Sequence, residues 1–127
     1  MNSVVLDASA LLAFVKGEQG ADAVASLIGD AMISAVNFAE AMSKLIAKGA
    51  TLELARATLG IAHIDVVDFD RGLAEAAGAL VASTRHSGLS LGDRACLALA
   101  ARERLPVLTS DRAWARLDLG IEIRLIR

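Results

Sequence analysis

Four of the fifteen acidic residues in this 127-residue chain stand apart by position rather than number. Asp7 closes the apolar run Val4-Val5-Leu6, and Asp111 follows the apolar pair Val107-Leu108. Glu40 interrupts a stretch from Ala35 to Ser43 that is otherwise apolar or small. Asp93 lies three residues after Ser90, in S-L-G-D. Most other acids, among them Glu18, Asp22, Glu53, Glu75 and Glu103, read as ordinary solvated side chains. Carboxylates brought into one crevice repel each other and raise their own pKa values. A bound cation removes that cost, and an all-oxygen set suits a hard ion, Mg²⁺ with Mn²⁺ as a substitute. Such an ion binds a phosphate oxygen and activates a water.

Each of the four also has an ordinary structural reading. Asp7 can serve as a helix-start carboxylate. Ser90 and Asp93 match a capping box, with Asp where Glu or Gln is preferred. Glu40 can pair with Lys44 one helical turn on, and Asp111 can cap the turn Arg112-Ala113-Trp114. Their case as a site rests on convergence.

Other chemistries fail on inventory. Cys96 is the only cysteine, and His63 and His86 have no ligand spacing to it or to each other, which argues against zinc. There is no G-x-x-x-x-G-K-[ST] and no G-x-G-x-x-G, so a nucleotide cradle is unsupported. No histidine is placed to activate a serine. Tyrosine is absent and aromatics make up 3 %, so a grip on nucleic acid would rely on phosphates rather than stacked bases. Cys96 reads as a small core hydrophobe and Trp114 as a core seal.

The elements that must position the four acids alternate in type. Val4–Leu6 reads as a strand buried on both faces. Ser9 is the expected N-cap of a helix from Ala10 to Val15. A second short helix is expected from Ala21 to Ile28, then a brief strand over Ala31–Ile33. Ser34 caps a helix running to Lys48 and stopped by Gly49. On it Phe38, Met42 and Leu45 face the core, while Asn37, Glu40 and Lys44 share another face. Thr51 opens a helix to Ala62, and Ile64–Val67 reads as a strand. Asp70 caps a long helix to Arg85, and Ser90 starts another, from Leu91 to Arg104, that Pro106 cannot prolong. A short strand at Val107-Leu108, a brief helix over Ala113–Leu117 and a last strand over Ile121–Ile126 follow. Five strands alternating with helices predict one α/β domain over residues 1–127, its mostly parallel sheet covered on both faces. In such sheets ligands sit at the carboxyl ends of the strands, where Asp7 and Asp111 fall.

Composition narrows the class further. No charge-free run exceeds nine residues, far below the roughly 18 a membrane helix needs. Asp7 within the first apolar segment, without a basic leader, argues against a signal peptide. A lone cysteine is compatible with a reducing cytoplasm, the expected location. Net charge is −2, so no global basic field announces a nucleic-acid binder. The charge is unevenly spread. Up to Leu80 there are five basic and ten acidic residues; from Val81 on there are eight basic, all arginine, and five acidic. The ordinary reading is solvated surface; the sharper one is a phosphate-facing arginine flank.

Four blocks, V-V-L-D-A-S-A-L, S-A-V-N-F-A-E, L-S-L-G-D-R-A-C-L-A-L-A and V-L-T-S-D-R-A-W, resemble in order and spacing the PIN-domain ribonucleases, and more narrowly the VapC-type toxins of toxin–antitoxin pairs. The resemblance covers nearly the whole chain. It implies an α/β/α sandwich with Asp7 and Asp93 as core Mg²⁺ ligands and Glu40 and Asp111 completing the site. It places Ser9 and Thr109 at small hydroxyl positions beside the first and last acids; these two and Arg112, from the arginine-rich C-terminal part, are the expected substrate contacts. Asn37 falls near Glu40 without a firm role. The implied reaction is metal-dependent endonucleolytic cleavage of RNA, in which activated water attacks the phosphodiester and the 3′ oxygen leaves. The implied partners are RNA, a VapB-type antitoxin and a second copy in a homodimer. Two other readings are a receiver-like phosphoryl-transfer domain and a non-catalytic interaction module. Against the first, Asp7 has no adjacent acidic residue and no lysine follows Lys48.

Overall fold

A computed structural model describes residues Met1–Arg127. Five strands form one parallel sheet: β1 (Val4–Leu6), β2 (Ala31–Ser34), β3 (Asp65–Val67), β4 (Val107–Thr109) and β5 (Ile123–Leu125), in the order β3-β2-β1-β4-β5. The chain builds outward from β1 in one direction, then returns to its other side for β4 and β5. Its switch point therefore lies between β1 and β4, the place where such sheets open a crevice.

Seven α-helices connect the strands: α1 (Ala8–Lys16), α2 (Ala21–Ala25), α3 (Ala35–Ala47), α4 (Leu52–Gly60), α5 (Arg71–Ala79), α6 (Val81–Thr84) and α7 (Leu91–Glu103). Short 3₁₀ turns cover Ile28–Asp30 and Arg112–Arg116. Side chains alternate across a strand, and here the alternation divides the core in two. Val4, Leu6, Ile33 and Leu108 pack with α1, α3 and α4 on one face. Val5, Met32 and Val107 pack with α5, α7 and Trp114 on the other. Strands that are buried on both faces must be continuously apolar, which is why β1 has no polar residue until it ends at Asp7. No helix is long and apolar enough to cross a membrane.

The expected element order holds, with local corrections. Asp7, not Ser9, is the N-cap of α1: its carboxylate accepts from Ala10 N, and the helix begins at Ala8. The second helix ends at Ala25, and a 3₁₀ turn, not helix, spans Ile28–Asp30. The helix expected from Asp70 to Arg85 breaks at Leu80 into α5 and α6. The segment after Asp111 is 3₁₀, and the last strand is only Ile123–Leu125. Caps at Ser34, Thr51, Asp70 and Ser90 are as read from the sequence. Cys96 and Trp114 are buried, as expected of core residues.

Candidate active site

Every strand of a parallel sheet points its carboxyl end to the same edge, so residues just past β1, β2 and β4 share it. Asp7 follows β1, Asp111 follows β4, and α3, which carries Glu40, starts where β2 stops. Asp93 comes from the first turn of α7, which packs against α3. All four acids line one cleft of about 330 Å³ with Ala8, Ser9, Asn37, Lys44 and Ser110. The convergence expected of residues scattered over more than a hundred positions is therefore present.

Asp7 is the buried member. Ala10 N (2.9 Å) and Ser9 Oγ (2.6 Å) donate to its Oδ1, and Thr109 Oγ1 donates to its Oδ2. Burial pushes its carboxyl above the usual range, only partly offset by those donors, and the Asp93 charge adds to the rise. Ser9 Oγ also accepts from Ser110 N, and Thr109 Oγ1 from Asp111 N, both at 3.0 Å. The two hydroxyls thus stitch the β1–α1 turn to the β4 turn across the switch point. Ser9 serves in this link and not as a cap.

The ordinary and functional readings of the acids prove compatible. Asp93 and Ser90 form a complete capping box, Ser90 N donating to Asp93 Oδ2 at 3.0 Å and Asp93 N to Ser90 Oγ at 3.1 Å. Asp111 caps its turn, accepting from Ala113 N at 3.0 Å. Glu40 makes no ion pair with Lys44; it accepts from Asn37 Nδ2 at 2.8 Å instead. The same Nδ2 donates to Gly92 O at 2.9 Å, tying α3 to α7. Asn37 is 1 % exposed and its Oδ1 has no partner. The amide cannot be turned round, because its oxygen would then meet the Glu40 and Gly92 oxygens.

Of the two readings of the C-terminal arginines, solvated surface fits most of them, and the cation of the cleft comes from α3. None of the eight arginines lines the cleft, Arg112 included, which is exposed just outside it. Arg94 turns away to donate to Ala77 O, and Arg102, Arg124 and Arg127 are held by acids elsewhere. The positive charge in the cleft is Lys44. Its shared helix face with Asn37 and Glu40 was the available signal in the sequence. Beneath the cleft, burial and the neighbouring Asp7, Asp93 and Glu40 charges push the Cys96 thiol well up, so it is no nucleophile.

The donor set fits a hard divalent cation. It is all oxygen, without an imidazole or thiolate in the cleft. An ionised carboxylate offers about four acceptor sites, and the three donors on Asp7 leave capacity for one more partner. No three acidic, histidine or cysteine side chains stand close enough together to enclose an ion as they are; each is engaged by the protein donors just described.

These features define a doubly wound, all-parallel α/β domain with an acidic crevice at its switch point. The PIN-domain family model matches residues 4–119, and the chain belongs to that family. A comparison with curated proteins gives no match. Among solved structures the chain is similar to VapBC2 from Rickettsia felis bound to a DNA fragment from their promoter (17 % identity, TM-score 0.76, covering 96 % of this chain and 97 % of that one). It is also similar to VapC20 from Mycobacterium tuberculosis, a sarcin–ricin loop cleaving toxin (16 % identity, TM-score 0.72, 94 % and 99 %). VapBC-5 from Mycobacterium tuberculosis, a member of the VapBC family of toxin–antitoxin systems, is 26 % identical (TM-score 0.66, 100 % and 99 %). The fold is thus one shared with VapC toxins of VapBC complexes.

Proposed function

We propose that this protein is the toxin of a toxin–antitoxin pair, a nuclease that hydrolyses RNA phosphodiester bonds with Mg²⁺. The observation that carries this reading is the meeting of Asp7, Glu40, Asp93 and Asp111 in one cleft of a PIN-family domain. Asp7 and Asp93 would hold the ion, with Glu40 and Asp111 completing its surroundings. Bound there, the ion would supply charge to offset the phosphate and lower the pKa of a water. The chain's own share is to fix the acids in place. Ser9 and Thr109 hold both oxygens of Asp7, and the capping box holds Asp93. Lys44 is the group suited to a flanking phosphate, a role expected from arginines and better met by this residue. Cys96, fully buried outside the cleft lining and held protonated, offers no rival nucleophile.

A VapB-type antitoxin is the proposed partner, its tail entering the acidic cleft with a basic side chain. The likeness to VapBC complexes supports this, as does the sign of the cleft. The test is cleavage of a labelled RNA by the purified protein with Mg²⁺, with Mn²⁺ and with chelator. Cleavage is expected only with metal, and Asp7→Asn and Asp93→Asn are expected to abolish it while remaining folded. Metal-independent cleavage, or full activity in both variants, overturns the reading. An interaction module would bind without cutting, and a receiver-like domain would take up phosphate from a small phosphodonor.

A further inference from the structure

Glu40 is the one acid of the cleft whose position is set neither by a turn nor by a helix cap. It projects from the second turn of α3, and a glutamate on a helix surface has three side-chain torsions to settle. Two contacts settle them. Asn37, one turn earlier on α3, donates to Glu40 Oε1 at 2.8 Å and to Gly92 O at 2.9 Å through the same nitrogen. Gly92, buried in the first turn of α7, lies directly against the Glu40 carboxylate, and a Cβ at that position would overlap both of its oxygens. Nothing in the backbone of Gly92 calls for glycine: it has no positive φ, and glycine within a helix is less favourable than alanine. The missing side chain is therefore explained by the carboxylate it leaves room for. Asn37 borders the cleft but is 1 % exposed, so it offers almost no surface to a substrate; its Oδ1 has no partner and its amide nitrogen makes the two donor contacts.

We infer that Asn37 and Gly92 form a seat that positions Glu40 toward the cation and substrate, with Asn37 a positioning residue acting through Glu40. The inference rests on the nuclease reading and adds two residues to it. The seat also couples two elements. Asn37 joins α3 to α7 at Gly92. Groups behind a metal ligand commonly cost 10- to 100-fold in affinity or activity when removed.

The test is a pair of double-mutant cycles on the full chain, read by Mn²⁺ affinity in calorimetry, by RNA cleavage rate and by melting temperature. Asn37→Ala and the isosteric Asn37→Asp are expected to lower cation affinity or kcat about 10-fold or more. In a Glu40→Ala background the same changes are expected to cost less than about 2-fold, because the residue they act through is gone. Gly92→Ala is expected to push the Glu40 carboxylate out of its place and lower cation affinity or kcat about 10-fold, and to cost less than about 2-fold once Glu40→Ala makes room. Equal losses with and without Glu40, or a Gly92→Ala protein with unaltered cation affinity and activity, overturn the inference alone. A wild-type protein that neither binds Mn²⁺ nor cuts RNA overturns the nuclease reading, and the positioning role with it.

Discussion

At Asp7 two demands on one carboxylate conflict. The fold uses it as the N-cap of α1 and as acceptor for Ser9 and Thr109, yet buries it where its charge is costly. Its folded pKa is raised above the ordinary value of 3.8, so the folded chain holds this proton longer than the unfolded one. Stability must therefore fall as pH climbs from about that value through the raised one. Asn in its place can still cap the helix and carries no charge. Asp7→Asn is expected to melt a few degrees higher at pH 7, the shift that about 1 kcal/mol gives a domain of this size. The gain should vanish in melts below pH 4; a less stable variant at pH 7 would contradict it. Mg²⁺ should raise the melting temperature of the wild type and not of this variant. Thr109→Val, by contrast, strips a donor from a buried oxygen and is expected to cost about 1–3 kcal/mol in urea unfolding at pH 7.

Helix starts do double duty in this domain, and the caps separate stability from activity. Ser90 and Asp70 both cap helices on the same face of the sheet, α7 and α5. Only Ser90 touches an acid of the cleft, Asp93. Ser90→Ala and Asp70→Ala are each expected to lose about 1 kcal/mol of stability. Cleavage and cation affinity should fall in Ser90→Ala and stay unchanged in Asp70→Ala; parallel losses would mean that Asp93 does not depend on its box. Along α3, Lys44 projects into the cleft where arginines of the later chain do not. Lys44→Ala is expected to weaken binding of an uncut RNA uniformly across sequences and to lower the salt-dependence slope by about one. An unchanged slope would place the phosphate grip elsewhere.

Over the whole molecule, much was legible from residue patterns. The short apolar runs ending in acids located β1, β4 and the edge they share, and the alternation of types implied the parallel sheet. Capping residues located the starts of α3, α4, α5 and α7. What escaped reading depends on contacts distant in sequence. Ser9 is as good a cap as Asp7 by type, and only the approach of β4, a hundred residues on, recruits its hydroxyl to Ser110. The arginine excess after Val81 is a property of counting; side-chain direction is decided by packing, which turns Arg94 to Ala77 and Arg102 to Asp70. The seat of Glu40 joins residues 55 apart and leaves no local pattern at Gly92 beyond a glycine in a helix start.

The central claim is that these acids together hold one hard cation at the switch point of the sheet. Anomalous diffraction from crystals soaked in Mn²⁺ tests it most directly. The expected result is a strong peak in the cleft within bonding distance of the Asp7 and Asp93 carboxylates, with Glu40 or Asp111 reaching it directly or through water. Crystals that take up no Mn²⁺ there, or that bind it only at acids outside the cleft, would contradict the claim.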